Sequence, residues 1–446
     1  METKRDLDAI CKRFRVNFIG EREDGFVFEA KEPSPELRDD LSFVIRRKVI
    51  LEKISDMSSK TPESGGRRQN DDAVSMTNAI LDDAVKECCS DVHVEPQKEN
   101  WRVRMRRKGT LFVYGTYPDA LYSGFATRLK ILAAMDIGER RRPQDGRFSF
   151  ERDGRKIDVR VSAIPVGGRE KLVLRILDPE GMDYTPVGIG LEGENLRTTD
   201  ALLRQPQGLI LLCGPTGCGK TSTLYTFIQR LNQPDRNIVT IEDPVEYAIE
   251  GINQMQVNEK ADVTFTSGLE SILRQDPEVI MVGEIRSRET AEIALRASIT
   301  GHLIFSTLHT TDSPAAVLRL RDMGIPAYMI SAGVIGILSQ RLVRTLCPYC
   351  KTEDDRKDAF FQVDGIHYRA VGCERCRNGY AGREAVFEIL TVDDGMRRRI
   401  AADADIDEIR AYAIERGMLS LKEALRRKIQ NGTIDIEEAY RTTMTL

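Results

Sequence analysis

A glycine-rich turn stands between an apolar run and a polar helix start. The turn reads Gly214, Pro215, Thr216, Gly217, Cys218, Gly219, Lys220, Thr221, Ser222, which matches the pattern G-x-x-x-x-G-K-[ST]. Such glycines let backbone N–H groups face phosphate oxygens, and the following helix N-terminus adds about half a positive charge. We expect Lys220 to contact the β- and γ-phosphates of a nucleotide and Thr221 to bind Mg²⁺.

Two acidic stretches follow apolar runs. Glu242 and Asp243 follow Ile238–Ile241, and Glu284 follows Val279–Val282. Carboxylates at the C-terminal edge of a parallel sheet lie where such sheets bind ligands. We expect Glu284 to complete the Mg²⁺ site or to orient the attacking water, with Glu242 as the candidate for water activation. Taken alone, the first stretch is also consistent with a solvated turn, and Glu284 with a helix-capping acid.

Two of the four histidines, His302 and His309, bracket the apolar run Leu303–Phe305. They are candidates for sensing the γ-phosphate or a subunit boundary. The alternative is that both are core histidines satisfied by hydrogen bonds. Metal binding by the pair is not expected, because opposite ends of a strand do not converge on one ion.

Four of the nine cysteines form two C-x-x-C pairs, Cys347 with Cys350 and Cys373 with Cys376, separated by residues 351–372. This spacing is typical of a four-cysteine zinc site, in which thiolates surround Zn²⁺ as a tetrahedron. A closed site of this kind is structural and not catalytic. The alternative is a set of unmetallated buried thiols.

A basic set lies upstream of these motifs and comprises Arg140, Arg141, Arg142, Arg147, Arg160 and Arg175. Arginines can stabilise phosphate charge from a neighbouring subunit, and Arg160 and Arg175 are our candidates for such clamps. Ordinary surface ion pairs and a nucleic-acid patch are the two alternatives.

The composition bounds the class of protein. A chain of 446 residues is long enough for about three domains. Nine cysteines without a visible signal peptide favour a reducing compartment. The longest apolar segment, near Ala332–Leu338, is far shorter than the roughly 20 residues of a membrane span, so we expect no direct membrane insertion. The net charge of -4 gives no general reason to expect nucleic-acid binding.

Patterns along the chain divide it into parts. Residues 1–55 are predicted to form a small module, because alternating phenylalanines flank the turn Asp24-Gly25 as in a hairpin. The polar, glycine-bearing residues 56–72 predict a linker. Residues 73–188 mix strand and helix patterns, including a helix at Val74–Cys89, and predict an α+β domain.

Residues 189–446 alternate apolar strand-like runs with helical segments. This alternation predicts a parallel sheet buried on both faces, and the phosphate motif makes it an α/β nucleotide-binding core. The cysteine pairs predict a zinc subdomain at residues 345–380, and further helices are predicted after Thr391.

Together these motifs resemble the ATPases of type II secretion systems and type IV pilus assembly. In the core, the resemblance lies in GPTGCGKT (214–221), TIEDPVE (240–246), LRQDPEVIMVGEIR (273–286) and TGHLIFSTLHTTD (300–312). Flanking similarity lies in SDVHVEP (90–96), RRPQDGR (141–147), SQRLVRTLCPYC (339–350) and GYAGREAVFEI (379–389). The resemblance covers roughly residues 73–446, and the family usually has Ser where this chain has Cys218.

The resemblance implies a RecA-like ATPase core that uses ATP, Mg²⁺ and Zn²⁺ and assembles as a homohexamer. It implies an Asp box at Glu242-Asp243, a Walker B acid at Glu284 and a His box at His302–His309. It also implies a cytoplasmic protein held at the periphery of the inner membrane by a platform protein and a membrane-anchored recruiting subunit.

The functional prediction is therefore an ATPase that drives pseudopilus or pilus assembly. One alternative is a nucleic-acid translocase with a similar core, which would need a basic channel. Another is a nucleotide-dependent scaffold with little turnover, and the intact acids Glu242 and Glu284 argue against it.

Overall fold

The computed structural model divides into two compact units, Met1–Gln69 and Asn70–Leu446. It describes residues 17–22, 25–30, 38, 41–42, 49–53, 66–107, 109–152, 154–177, 184–376 and 378–443.

The first unit contains a three-stranded sheet of β1 (Asn17–Arg22), β2 (Gly25–Ala30) and β3 (Val49–Lys53). β1 and β2 are antiparallel, while β3 pairs with β2 in parallel. The predicted hairpin is therefore confirmed, although its turn residue Asp24 lies outside the described residues.

Helix α1 (Gly66–Lys86) begins inside the segment predicted as a linker. The predicted linker end at residue 72 is therefore wrong, while residues 56–65 lie outside the described residues. Ile80, Leu81 and Ala84 anchor the helix in an apolar core. Once these apolar residues have nucleated the helix, each further residue adds a hydrogen bond at little cost. The polar residues before them therefore extend the helix toward its N-terminus.

A six-stranded antiparallel sheet forms the middle domain, in the order β6-β5-β4-β9-β8-β7. Its elements are β4 (Cys89–Pro96), β5 (Asn100–Arg107), β6 (Thr110–Pro118), α2 (Tyr122–Leu132), β7 (Gln144–Arg152), β8 (Arg155–Val166) and β9 (Arg169–Leu177). α1 and α2 contribute to the apolar core of this domain, where Trp101 is fully buried and stacks on Tyr117 with ring centroids 4.7 Å apart. This is the predicted α+β domain.

A seven-stranded sheet forms the second core, in the order β12-β11-β13-β14-β10-β15-β18. Its strands are β10 (Gly208–Cys213), β11 (Ile238–Glu242), β12 (Asn253–Gln256), β13 (Val279–Val282), β14 (Leu303–Leu308), β15 (Val334–Leu346) and β18 (Tyr380–Thr391). All pair in parallel except β18, which is antiparallel to β15. The predicted parallel sheet is confirmed.

Helices cover both faces of this sheet. They are α3 (Gly193–Leu203), α4 (Lys220–Leu231), α5 (Phe265–Ile272), α6 (Arg288–Ile299), α7 (Ser313–Asp322) and α8 (Ala327–Gly333). Leu209 and Leu211 face one apolar cluster, while Ile210 and Leu212 face the other. Burial on both faces explains why β10 is apolar throughout and does not alternate.

The hairpin of β15 and β18 carries an insertion that holds all four paired cysteines. Within it, β16 (Thr352–Asp354) pairs with β17 (His367–Arg369). The chain ends in α9 (Asp394–Ala401), α10 (Ile406–Glu415), α11 (Leu421–Gln430) and α12 (Ile436–Thr443), as predicted for the C-terminal region.

Buried Glu388 on β18 joins these C-terminal helices to the sheet. One carboxylate oxygen accepts the N–H of Ser313 at 2.9 Å, and the other accepts the N–H of Leu421 at 3.1 Å. These residues begin α7 and α11. Burial raises the pKa of Glu388, and the two N–H donors oppose that effect.

In the part of the chain that the structure describes, no helix combines the length and the hydropathy that crossing a membrane requires.

Candidate nucleotide and metal sites

The glycine-rich turn connects the end of β10 to the start of α4. Gly214, Gly217 and Gly219 have φ values of 144, 78 and 91°, which residues with a side chain rarely adopt. Because the strands are parallel, the ends of β10, β11, β13 and β14 meet at the same edge of the sheet. The turn therefore lies beside the residues that follow those strands, as the sequence predicted.

The Lys220 ammonium lies over this turn. It donates hydrogen bonds to the carbonyls of Gly214 at 2.7 Å and Pro215 at 3.1 Å. Burial lowers the pKa of Lys220, and Glu284 is among the acidic groups that oppose the shift. Thr221 is exposed in the first turn of α4. Both residues thus occupy the positions expected for a phosphate-binding loop.

Glu284 follows β13 and contacts two further polar side chains. One oxygen accepts a hydrogen bond from Arg286 at 2.5 Å, and the other lies 3.8 Å from Nε2 of His309. This hydrogen bond raises the pKa of Arg286. Burial and the Lys220 charge lower the pKa of His309, while Glu284 opposes them. His309 is therefore mostly neutral at pH 7.

His302 lies at the opposite end of β14 from His309. Its Nδ1 is 3.1 Å from the carbonyl oxygen of Ala297. The seven residue steps from His302 to His309 separate their Cα atoms by about 23 Å, at roughly 3.3 Å per residue. His309 therefore lies at the phosphate edge, the edge of the sheet that carries the glycine-rich turn, and His302 lies at the opposite edge. This position does not support sensing of the chain's own γ-phosphate by His302.

Glu242 is buried, with 3% of its surface exposed. Its carboxylate accepts hydrogen bonds from Thr240 at 2.6 Å, from Gln254 at 3.1 Å and from the Tyr225 hydroxyl. Tyr225 belongs to α4, so this contact joins the helix that follows the phosphate loop to the end of β11, where the acidic turn at residues 243–246 begins. A carboxylate with this environment positions its neighbours and is poorly placed to activate a solvent water, contrary to our expectation for Glu242.

The two candidate arginine clamps are engaged in ion pairs within the chain. Arg160 lies 3.0 Å from the Glu246 carboxylate and also donates to the carbonyl of Val245. Arg175 lies 3.3 Å from Asp91 and its side chain is 63% exposed. The single chain therefore places neither arginine on its own phosphate loop. Arg160 instead connects the middle domain to the acidic turn after β11.

The four paired cysteines converge, with their sulfur atoms all within 4.8 Å of one another. The distances are 4.0 Å between Cys347 and Cys373, 3.5 Å between Cys350 and Cys376, and 3.6 Å between Cys373 and Cys376. A tetrahedron with Zn–S bonds of about 2.3 Å has S···S edges of about 3.8 Å. These three distances are close to the tetrahedral edge, so the cluster is compatible with a tetrahedral metal ion.

The cysteine cluster also faces the middle domain. Cys373 and Cys376 line a cavity of about 390 Å³ together with Thr110 and Leu111 at the start of β6. On the cluster itself, the Arg375 guanidinium lies 4.6 Å from the centre of the Tyr349 ring, which links the two cysteine turns. The cluster is thus positioned to influence the contact between the two domains.

Three residues of the phosphate edge were missed by sequence reasoning: Tyr225, Arg286 and Gln340. Arg286 stands two residues after Glu284, and this proximity is a usable signal. Tyr225 lies within an amphipathic helix, and Gln340 lies 122 residues from the loop that it contacts. Their roles depend on which strands become neighbours, and the local sequence does not encode that order.

A phosphate-binding turn at the edge of a parallel sheet, with an acid and a neutral histidine beside it, defines a phosphate-loop nucleotide-binding protein. Comparisons with known proteins agree. A family model described as type II/IV secretion system protein matches residues 68–441.

Two relatives and one solved structure illustrate the similarity. The type II secretion system ATPase E of Vibrio cholerae is 43% identical over 383 residues, covering 84% of this chain and 76% of that protein. The type IV pilus assembly ATPase PilB of Myxococcus xanthus is 41% identical over 387 residues, covering 84% of this chain and 68% of that protein. The crystal structure of the pilus retraction motor PilT with bound ADP has a TM-score of 0.60 and 26% identity, covering 82% of this chain and 96% of that one.

The chain belongs to the type II/IV secretion system protein family and is an ATPase. The predicted family, activity and fold class are thereby confirmed, and ATP with Mg²⁺ follows from the family.

Proposed function

We propose that this ATPase works as a homohexamer that drives assembly of a pseudopilus or pilus. The observation that carries the proposal is the meeting of Lys220, Glu284 and His309 at one edge of the sheet. Relatives with the same core are named as secretion and pilus assembly ATPases.

Lys220 and the loop backbone would hold the phosphates. The Lys220 ammonium donates to two neutral carbonyls of its own loop. Anionic phosphate oxygens are stronger acceptors and would replace those carbonyls. Thr221 and Glu284 would hold Mg²⁺, which neutralises charge on the phosphates when bound.

Glu284 would complete the metal site or orient the attacking water, and its neighbours hold it in place. Arg286 binds one carboxylate oxygen, and His309 faces the other. Because its pKa is lowered, a neutral His309 can lie beside Glu284 without adding a second positive charge next to Lys220. Glu242 would act at a distance by fixing the acidic turn through Tyr225.

Arg160 would couple the domains. Its contacts with Glu246 and Val245 connect the middle domain to the edge where hydrolysis occurs. To clamp phosphates bound to a neighbouring subunit, Arg160 and Arg175 would first have to leave their present partners, Glu246 and Asp91.

The cysteine cluster would hold one structural Zn²⁺ per chain. Four thiolates leave no open coordination position, so the ion would stabilise the insertion and take no part in hydrolysis. The sulfur distances of 3.5 to 4.0 Å support this assignment.

We further propose the following organisation: a docking module at residues 1–55, a middle domain that begins with α1 at Gly66 and extends to residue 188, and an ATPase domain at 189–446 that includes the zinc subdomain at 345–380. The expected location is the cytoplasm, at the periphery of the inner membrane. The expected partners are an inner-membrane platform protein and a membrane-anchored recruiting subunit, without nucleic acid.

The test is ATP hydrolysis by the purified full-length protein after separation by size, with and without DNA. We expect hydrolysis in the hexamer fraction at a rate that DNA does not change. Strong stimulation by DNA would instead support the nucleic-acid translocase. Nucleotide binding with negligible turnover in every fraction would support the scaffold.

A further inference from the structure

Gln340 lies on β15, directly behind the phosphate loop, and is only 2% exposed. Its side-chain N–H donates to the carbonyl of Cys218 at 2.9 Å. Its side-chain oxygen accepts from the hydroxyl of Thr223 at 2.9 Å. One amide therefore bridges the loop and the first turns of α4, from a strand far away in sequence.

The bridge fixes the direction of one particular peptide. In a trans peptide the C=O and the following N–H point in opposite directions. Because Gln340 holds the carbonyl of Cys218 towards the sheet, the N–H of Gly219 in the same peptide points to the other side. That side is where the loop cradles phosphate.

The backbone of the loop also packs closely on Gln340. A Cβ added at Gly214 would lie 2.5 Å from the backbone oxygen of Gln340, and one at Gly219 would lie 3.0 Å from its side-chain nitrogen. The guanidinium of Arg341 donates a hydrogen bond to the same backbone oxygen at 2.9 Å. Gly214 and Gly219 thus lie so close to Gln340 that a side chain at either position would require a shift.

We propose that Gln340 is a positioning residue for the ATPase reaction, which orients the Cys218–Gly219 peptide so that its N–H faces the nucleotide phosphates. It touches no phosphate itself. Its loss lowers nucleotide affinity and the hydrolysis rate through the loop while leaving Lys220, Thr221 and Glu284 in place.

Gln340→Leu in the full-length protein removes both hydrogen bonds at similar volume. We expect the Kd for a fluorescent ATP analogue to rise about tenfold, which corresponds to roughly 1.4 kcal/mol. Gln340→Glu keeps the acceptor for Thr223 but turns an oxygen towards the carbonyl of Cys218, so its Kd should rise at least as much. Gln207→Leu is the matched control, since Gln207 is an exposed glutamine of the same domain, and should keep the parent Kd.

Thr223 offers a second probe that separates positioning from a loss of folding. Thr223→Ser keeps the hydroxyl that donates to Gln340, while Thr223→Val keeps the shape without it. We expect the valine variant to bind nucleotide more weakly than the serine variant, with melting temperatures measured without nucleotide as the check on folding. The effect of Thr223→Val should be smaller in the Gln340→Leu background, because the two changes remove the same bridge.

Two results would overturn the proposal. One is a folded Gln340→Leu protein with the parent Kd and hydrolysis rate. The other, which decides the matter if Gln340→Leu does not fold, is equal nucleotide affinity in Thr223→Ser and Thr223→Val.

Discussion

The phosphate loop and the cysteine cluster differ in what forms the ligand site. The loop presents backbone N–H groups, and Gln340, which lies outside the motif, donates a hydrogen bond to one of its carbonyls. The cysteine cluster presents side chains from two short turns, and its geometry is held within one insertion. A site built from backbone should therefore be sensitive to distant residues, while a site built from side chains should be sensitive chiefly to its own ligands.

The largest expected effect is that of Lys220→Ala. Loss of the ammonium removes the positive charge that stabilises the transferring phosphoryl group, and hydrolysis should fall by about 10²- to 10³-fold or more. Lys220 bonds only carbonyls of its own loop among the described contacts, so the melting temperature should change little. Lys260→Ala, at an exposed lysine of the same domain, is the control. If Lys220→Ala hydrolysed ATP at the parent rate, the assignment of the ATPase site to the phosphate loop would be wrong.

Glu284→Gln should lower hydrolysis by a similar or somewhat smaller factor, roughly 10²-fold, because the amide keeps an acceptor for Arg286 but loses the charge. Nucleotide binding should survive, because the phosphate loop itself is unchanged. Hydrolysis and binding of ATP are measured side by side, with the exposed Glu289→Gln as control. Joint loss of binding and folding would mean that Glu284 has a structural role only.

Cys373→Ser tests the site built from side chains. Metal analysis of protein purified without added zinc should give about one zinc per chain in the parent and far less in the variant. The insertion should loosen locally, including its contact with Thr110 and Leu111, while nucleotide affinity stays near that of the parent. Cys88→Ser, at an exposed cysteine outside the cluster, should keep its zinc. A parent without zinc but with four titratable thiols at these positions would refute the metal site.

Arg160→Gln should have the smallest effect. The ion pair with Glu246 is partly exposed, with side chains 28% and 31% accessible, so it stabilises the fold by at most about 1 kcal/mol. A double-mutant cycle with Glu246→Gln should be measured by melting temperature and by hydrolysis rate. We expect each single change to alter the hydrolysis rate by a few-fold at most, and the effects of the two changes should not be additive. A fall in hydrolysis of about 10³-fold that is independent of Glu246 would instead identify Arg160 as a phosphate clamp in a neighbouring subunit.

The sequence was sufficient where the chemistry lies in consecutive residues. The phosphate loop and the cysteine pairs were predicted because their geometry follows from short turns. Glu242 was expected to activate water, but the direction of a buried carboxylate depends on how the sheet packs. His302 directly precedes the run Leu303–Phe305, so its position at the opposite end of the strand from His309 could be predicted.

Gln340 is a residue at the phosphate loop that local sequence did not predict. It lies in the stretch SQRLVRTLCPYC (339–350), but that stretch does not show what Gln340 contacts, and the residue reaches the loop only because β15 forms next to β10. The α1 helix shows the same effect on secondary structure. Its polar first residues predict a linker, but they are helical because Ile80 and Leu81 anchor the helix in the core further along the chain.

The buried carboxylate of Glu388 sets a limit on shortening the chain. Its two oxygens accept N–H groups from the starts of α7 and α11, so deletion of the last two helices would leave one oxygen without its donor inside the protein. An unsatisfied buried polar group costs about 1–3 kcal/mol, and more when it is charged. A truncated version for structural work would therefore tolerate Glu388→Gln better than the native acid, even though no residue of the phosphate loop had been removed.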